Sequence, residues 1–358
     1  MASFKGQYGL QFTLHIASNY RAPEIVEHAR RAHDQGFCQI WVNDNLRYRH
    51  QFVVLTAIAT QVPIALGTAV TVPYFRNPVD FADTLATLSE FTAGREISVG
   101  ISRGDLSIVG NQLAMRKPIA MVRETVEMTT ALLQGERVRF GDYPALADFY
   151  HLLPDAGIAL AFRPQAPIGF YSGSNGPRLM AIAGRIMDGV LFSGLYITYV
   201  KLGRIAELMA PAEDAGKATG RTRPFRKVAE VNVSVSRDRA RAREFPRKYA
   251  AHSMVVLDGV GVTDEQLGRI GIRRAEIQGL KDYWATGATV EQVALTVSDA
   301  MVDACFVAGT PEEVVDGLGP ILDAAAAQGI DQVLLSKLGP DYAEAITLLS
   351  EEVLPRLG

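Results

Sequence analysis

Leu10-Gln11-Phe12-Thr13-Leu14-His15-Ile16-Ala17-Ser18-Asn19 is the stretch that decides the architecture. Its first five residues read as a buried strand, and no glycine follows them. A doubly wound nucleotide-binding sheet would more often turn out of its first strand through G-x-G-x-x-G, where glycine lets the backbone approach a pyrophosphate. Working outward, Pro23 to Gln35 reads as a helix with proline near its first position and Gly36 at its end. Gln39-Ile40-Trp41-Val42 is a second strand, and Pro63 to Val72, rich in β-branched residues and closed by Pro73, is a third. Pro78 to Phe91 is helical, with Phe81, Leu85 and Leu88 on one face, and Ile97-Ser98-Val99-Gly100-Ile101 is a fourth strand. Strands this apolar have no water-facing side, so the alternation of strand and helix implies a parallel sheet covered by helices.

The rhythm continues to the end of the chain. A helix over Pro118 to Leu133 leads into a polar, aromatic connection, Gly135 to Pro164. Further strands are predicted at Ile168-Gly169-Phe170-Tyr171, Asp188 to Phe192, Val228 to Val235 and Asp331 to Leu335, with helices near Gly176 to Gly184, Pro311 to Gln328 and Asp341 to Leu354. Thr310 and Glu313 form a capping box at the start of the Pro311 helix. Arg237 to Asp303 is charged, helical and free of strand signal, an inserted subdomain or dimer element. Eight strands predict a (β/α)8 TIM barrel, a single domain over residues 1–358 with a helical insertion at 237–303.

Composition excludes several classes. With 358 residues, 48% hydrophobic and 21% charged, the chain is globular rather than disordered. Its 36 Lys+Arg against 39 Asp+Glu give a net charge of −3, without the basic excess that nucleic acid or an anionic membrane selects. No apolar run approaches the roughly 18 residues of a membrane span, and the N-terminus lacks a signal-peptide apolar stretch, so the expected location is cytoplasmic. Cys38 and Cys305 form no CxxC pair and read as small buried hydrophobes rather than a disulfide or zinc framework.

In a barrel the chemistry gathers at the carboxyl ends of the strands. These ends hold His15, Asn43-Asp44-Asn45, Thr68 to Val72, Ser102-Arg103-Gly104-Asp105, Ser172 to Gly176, Ser193-Gly194, Glu230 to Asn232 and Ser336-Lys337. Asp44 and Asp105, expected at neighbouring strand ends, are candidate acid, base or orienting groups, as is His15; each is equally readable as a loop cap or rim hydrogen-bonding group. Tyr171-Ser172-Gly173-Ser174-Asn175-Gly176-Pro177 runs from strand to helix and offers backbone N–H groups and hydroxyls to a phosphate, with Arg178 to add charge. A plain tight turn needs the same glycines. The other histidines show no ligand spacing, and no catalytic metal is predicted.

At these ends the chain resembles the luciferase-like flavin and deazaflavin oxidoreductases, and most of all their methylenetetrahydromethanopterin reductase-like branch. The resemblance spans nearly the whole chain. It is carried by Leu66-Gly67-Thr68-Ala69-Val70-Thr71-Val72-Pro73-Tyr74-Phe75-Arg76-Asn77-Pro78, by Ala86-Thr87-Leu88 through Ala93-Gly94-Arg95, and by Val99-Gly100 to Gly104-Asp105. Arg123-Glu124 with Leu132 to Glu136, Gly173 to Gly184 with Asp188-Gly189-Val190, and Leu338-Gly339-Pro340-Asp341 to Pro355 complete it; their order and spacing make the match.

The resemblance implies a (β/α)8 barrel holding coenzyme F420, or FMN in the alternative, at the strand carboxyl ends. A non-prolyl cis peptide would fall at Ala69-Val70, beneath the ring, so that Thr68, Ala69, Val70, Ser102 and Gly104 line the cofactor and Ser172, Gly173, Ser174, Asn175, Gly176 and Arg178 take its phosphate. Relatives that oxidise alcohols carry histidine after the aspartate of the second strand, where this chain has Asn45. Asparagine is no base, so the implied reaction is reduction of an activated C=C, C=N or C=O bond of a small molecule, with Asp44, Asp105, His15 or water as proton source. An FMN-dependent monooxygenase is the first alternative, and a cofactor-free barrel acting as a binding protein or flavin-independent enzyme the second. The family also implies a homodimer.

Overall fold

The computed structural model describes residues 4–14, 19–46, 48–104, 113–173 and 175–357. Eight parallel strands, β1 (Gln7–Phe12), β2 (Gln39–Val42), β3 (Ala65–Thr71), β4 (Ile97–Ile101), β5 (Ile168–Ser172), β6 (Gly189–Phe192), β7 (Arg226–Val235) and β8 (Gln332–Gly339), pair in sequence order. β8 returns to β1 through Gln7↔Gln332 to Leu10↔Leu335 and closes the barrel. The helices α1 (Ala22–Asp34), α2 (Gln51–Ala59), α3 (Pro78–Glu90), α4 (Pro118–Leu133), α5 (Pro177–Ile186), α6 (Ile205–Ala218), α7 (Pro311–Ala327) and α8 (Tyr342–Leu348) cover it. This is the (β/α)8 barrel that the sequence predicts. Among the described residues no helix is long and apolar enough to cross a membrane.

The barrel interior is packed, not hollow. Trp41, Ala69, Tyr171, Leu191, Val228 and Leu334 form its central cluster. Trp41 and Tyr171 meet edge to face, with ring centroids 6.1 Å apart, and they fit because the strands beside them carry glycine. A Cβ on Gly67 would lie 2.4 Å from the Trp41 ring, and one on Gly100 would lie 2.3 Å from the Thr68 carbonyl oxygen. Because side chains alternate along a strand, Ser193, Glu230 and Ser336, two residues beyond Leu191, Val228 and Leu334, form the next layer towards the carboxyl ends. The polar mouth therefore rests on a filled apolar floor.

Several elements differ from the sequence expectation. β1 begins at Gln7 and leaves its ladder after Phe12, where the Leu14 N–H donates to Asn43 Oδ1 at 2.6 Å. α2 lies in a region with no predicted helix: its sequence QFVVLTAIA buries Gln51, Phe52, Val54, Leu55, Ile58 and Ala59. A short helix buried on most sides shows no amphipathic period. β3 stands between β2 and β4, so the carboxyl ends of β2 and β4 are not neighbours, which corrects the adjacency of strand ends expected from the sequence. The Gly135–Pro164 connection contains a short antiparallel pair, Val138–Arg139 with Gly157–Ile158, and a helix, Pro144–Tyr150. The buried Glu124 carboxylate accepts from the Ala145 and Leu146 N–H groups at 2.7 and 3.2 Å and so caps that helix.

Between β7 and α7 run six helices, from Arg239–Glu244 to Asp299–Cys305, followed by a short strand, Val307–Gly309, that extends the sheet beside the far end of β7. The segment leaves and re-enters at the carboxyl end of β7, so it stands at the rim of the mouth. Asn232 Nδ2 ties it down by donating to the Cys305 carbonyl at 2.8 Å.

His28 on α1 packs against Tyr20, Phe12 and Tyr342, and its Nε2 is buried without a partner. Burial depresses its pKa below the ordinary 6.5, with Asp341 opposing. The folded state therefore favours the neutral ring, and its stabilising contribution is full above the ordinary value and is lost as pH falls through the depressed one. His28→Phe is expected to flatten the loss of stability between about pH 7 and pH 5, read as the difference in thermal midpoint across that window. An unchanged slope would remove His28 as its source.

Candidate active site

The pairing of β3 with β4 slips between Thr68 and Thr71, and the Ala69–Val70 peptide within that bulge is cis. Bulges of this kind re-aim side chains beside active sites. Both carbonyls of the bulge are held. Gln11 Nε2 donates to Ala69 O at 2.8 Å, while the Asp44 N–H and Gln51 Nε2 donate to Val70 O at 3.0 and 3.4 Å. Gln51 also donates to Val42 O at 2.7 Å, and Thr68 Oγ1 donates to Gly100 O at 2.9 Å. Across the mouth, Val70 leans onto Gly173, where a Cβ would stand 2.3 Å from Val70 Cγ1. Gly173 is fixed by its own N–H to Ile101 O at 2.9 Å, and its carbonyl accepts from Ser193 Oγ at 3.1 Å. Thr68, Ala69, Val70, Ser172 and Gly173 thus share one corner of the mouth.

Asp44 is engaged on both oxygens. Arg76 grips it with two nitrogens, Nη1 at Oδ2 and Nη2 at Oδ1, the latter at 3.1 Å. Thr71 Oγ1 and the Val72 N–H also reach Oδ2, at 3.3 and 3.4 Å. The two side chains are only 2% and 8% exposed, and Arg76 lies over the Phe52 ring at 4.9 Å. A carboxylate this saturated anchors the end of β2 against the β3 loop. Arg76 is absent from the sequence-derived site residues. Its only advance signal is its place in the family-like block.

Asn45 is buried with Oδ1 unpartnered. Ser102 and Gly104 form the turn leaving β4, in which the Gly104 N–H donates to Ser102 Oγ at 3.2 Å and Gly104 takes φ +83°. Asn175 and Gly176 stand at the start of α5, where Gly176 provides no side-chain cap. Arg178, in the first turn of α5, is exposed. His15, Asp105 and Ser174 lie outside the described residues.

A second polar group stands at the ends of β6, β7 and β8. Glu230 Oε1 accepts from Ser336 Oγ at 2.8 Å and Lys337 Nζ at 3.0 Å, and Oε2 accepts from the Gly194 N–H at 3.0 Å. Lys337 also donates to Asn232 Oδ1 at 2.8 Å. These strand-end residues were visible in the sequence, but nothing in one dimension tied them to each other.

Residues 9–328 match the family model for luciferase-like monooxygenases. The chain belongs to this luciferase-like family. It is 28% identical to a 5,10-methylenetetrahydromethanopterin reductase of Archaeoglobus fulgidus over 97% of this chain and 100% of the relative. It is 27% identical to an F420-dependent glucose-6-phosphate dehydrogenase of Amycolatopsis mediterranei, over 95% and 96%. Solved structures share the fold: the coenzyme F420-dependent tetrahydromethanopterin reductase of Methanopyrus kandleri superposes with a TM-score of 0.77 at 23% identity over 99% of both chains. An F420-dependent secondary alcohol dehydrogenase in complex with an F420–acetone adduct gives 0.72 at 20% identity, again over 99% of both.

Proposed function

We propose that this luciferase-like chain is a coenzyme F420-dependent reductase that delivers hydride to an activated C=C, C=N or C=O bond of a small molecule. The observation that carries it is the bulge of β3 and the unpartnered amides around it. Gln11 and Gln51 donate to the bulge carbonyls, yet Gln11 Oε1, Gln51 Oε1, Asn45 Oδ1 and Asn175 Oδ1 are buried without partners. Leaving such an acceptor unsatisfied costs about 1–3 kcal/mol each, and the ring N–H and side-chain hydroxyls of a deazaflavin coenzyme are donors of the kind they lack. The residues present therefore fit the group. Thr68, Ala69, Val70, Ser102 and Gly104 would hold the ring, and Ser172 to Gly176 the phosphate, with Arg178 at its edge.

When bound, the reduced deazaflavin supplies a hydride and reacts poorly with oxygen. The chain supplies position and exclusion of water. The Asp44–Arg76 pair fixes the β2 end, Gln11 and Gln51 fix the bulge, and Asn45 offers a hydrogen bond but no basic site, which favours reduction over alcohol oxidation. The proton completing the product comes from His15, Asp105 or water. The same proposal places the protein in the cytoplasm as a homodimer. It also treats residues 237–303 as an insertion within one domain, which is supported by their buried side chains joining the same apolar core as the barrel helices.

Parallel titrations with oxidised coenzyme F420 and with FMN, read by cofactor fluorescence, test this. Binding of the deazaflavin at least tenfold tighter than FMN is expected. The reverse preference would turn the reading to an FMN-dependent monooxygenase of the same family, and failure of both would leave a barrel without a flavin site.

A further inference from the structure

We infer that Lys337 is the group that receives the substrate's acceptor oxygen, and that with Glu230 it selects an uncharged carbonyl over a carboxylate or phosphate. The inference deepens the reductase reading and rests on it. It begins with the backbone. The register of β8 on β7 runs to Ser336↔Asn232 and resumes at Gly339↔Ser234, so β8 holds one extra residue there. Within that bulge Lys337 takes φ +50°, a left-handed conformation that a side-chain-bearing residue adopts only against steric strain. Strain of this kind persists where the surroundings impose it and gathers at functional sites.

The bulge brings the ammonium to the polar layer of the mouth. Glu230 and Ser336 stand one layer above Val228 and Leu334, on the inward face, with Asn232 beyond them. Lys337 Nζ lies 3.0 Å from Glu230 Oε1 and 2.8 Å from Asn232 Oδ1, and the Lys337 and Glu230 side chains are 17% and 6% exposed. An ammonium has three N–H donors and no acceptor capacity. Two are used, and the third has no acceptor among the described residues. Beside it stands Gly194, where an added Cβ would meet only Nζ among the described residues, in ordinary contact at 3.9 Å, so no side chain crowds the ammonium on that side.

Charge decides what the third donor takes. Glu230 already neutralises Lys337 and is satisfied by Ser336 and the Gly194 N–H, so the pair presents one donor with no net charge. A carboxylate or phosphate arriving there would place a second anion beside Glu230. A neutral carbonyl oxygen accepts the N–H without that repulsion. When hydride adds to the acceptor carbon, the C–H bond of the reduced deazaflavin would break as the new C–H bond forms, the π pair moves towards oxygen, and the ammonium meets the growing negative charge. A donor already in place is worth more in that state than in the ground state. Water then supplies the proton, and the coenzyme leaves oxidised by two electrons.

The test uses the full chain loaded with coenzyme F420, with coenzyme affinity measured first for each variant. Cyclohex-2-en-1-one and cyclohex-1-ene-1-carboxylate are then titrated while coenzyme fluorescence is followed. Wild type is expected to bind the enone in preference to the carboxylate. Lys337→Met should weaken the enone at least tenfold while coenzyme affinity stays within twofold, and Lys337→Arg should recover part of the loss. Glu230→Gln leaves the ammonium uncompensated and should shift preference towards the carboxylate, which keeps the assignment testable if Lys337→Met folds poorly. No enone binding by wild type, equal binding by Lys337→Met, or an unmoved preference in Glu230→Gln would overturn the assignment with the coenzyme site intact. Loss of coenzyme binding in wild type would overturn the reductase reading itself.

Discussion

Arg76→Met is expected to destabilise the protein by about 3–5 kcal/mol, the range for removing one partner of a buried ion pair. The guanidinium is 8% exposed and makes both charged contacts to Asp44, which is 2% exposed. Without it the carboxylate keeps, among the described residues, only the Thr71 hydroxyl and the Val72 N–H, at 3.3 and 3.4 Å. Two long hydrogen bonds do not replace a bidentate cation in a buried setting. The loss reaches the cofactor corner as well, because the Asp44 N–H supports Val70 O at 3.0 Å, so coenzyme affinity should fall with stability. Urea unfolding of Arg76→Met, Asp44→Asn and the double variant measures the coupling. The double variant should lose much less than the sum of the singles, since neither charge is then buried alone. If Arg76→Met lost under about 1 kcal/mol, the pair would be no anchor, and Asp44 would return as a candidate proton donor.

The same pair shows how far the sequence could be read. Strand period and flanking proline and glycine were enough for the eight strands, because parallel barrel strands are apolar on both faces and leave a clear trace. α2 left none, since burial on most sides erases the amphipathic period. The site divides along similar lines. Residues joined by local geometry, such as Ser102 with Gly104 or Gly173 at the start of its turn, were visible as motifs. Asp44 was visible too, but its role was not, because Arg76 stands 32 positions away and reaches it only through the β3 loop. Glu230 and Lys337 are 107 positions apart and meet through the pairing of β7 with β8 and a one-residue bulge, neither of which has a one-dimensional signature.

Gly173→Ala is expected to weaken coenzyme F420 binding at least tenfold while the barrel still folds. The added Cβ would sit 2.3 Å from Val70 Cγ1 and 3.6 Å from Ile101 O. No real Cβ tolerates the first distance, so Val70 must move. It is not free to do so cheaply, because its carbonyl is held by the Asp44 N–H and its neighbour's carbonyl by Gln11. Overpacking of this kind costs about 1–3 kcal/mol, and the strain falls on the bulge, which is the proposed backing of the ring. A displacement there is read as affinity at about 1.4 kcal/mol per tenfold. Isothermal titration with oxidised coenzyme, beside a thermal unfolding curve, separates the two effects. Val70→Ala in the Gly173→Ala background removes the colliding methyl groups and should restore most of the affinity, although Val70→Ala alone should not improve it. Recovery limited to the double variant would place the loss in this single contact. Loss of affinity that Val70→Ala cannot relieve would mean that the phosphate turn, not the bulge, is what Gly173 protects.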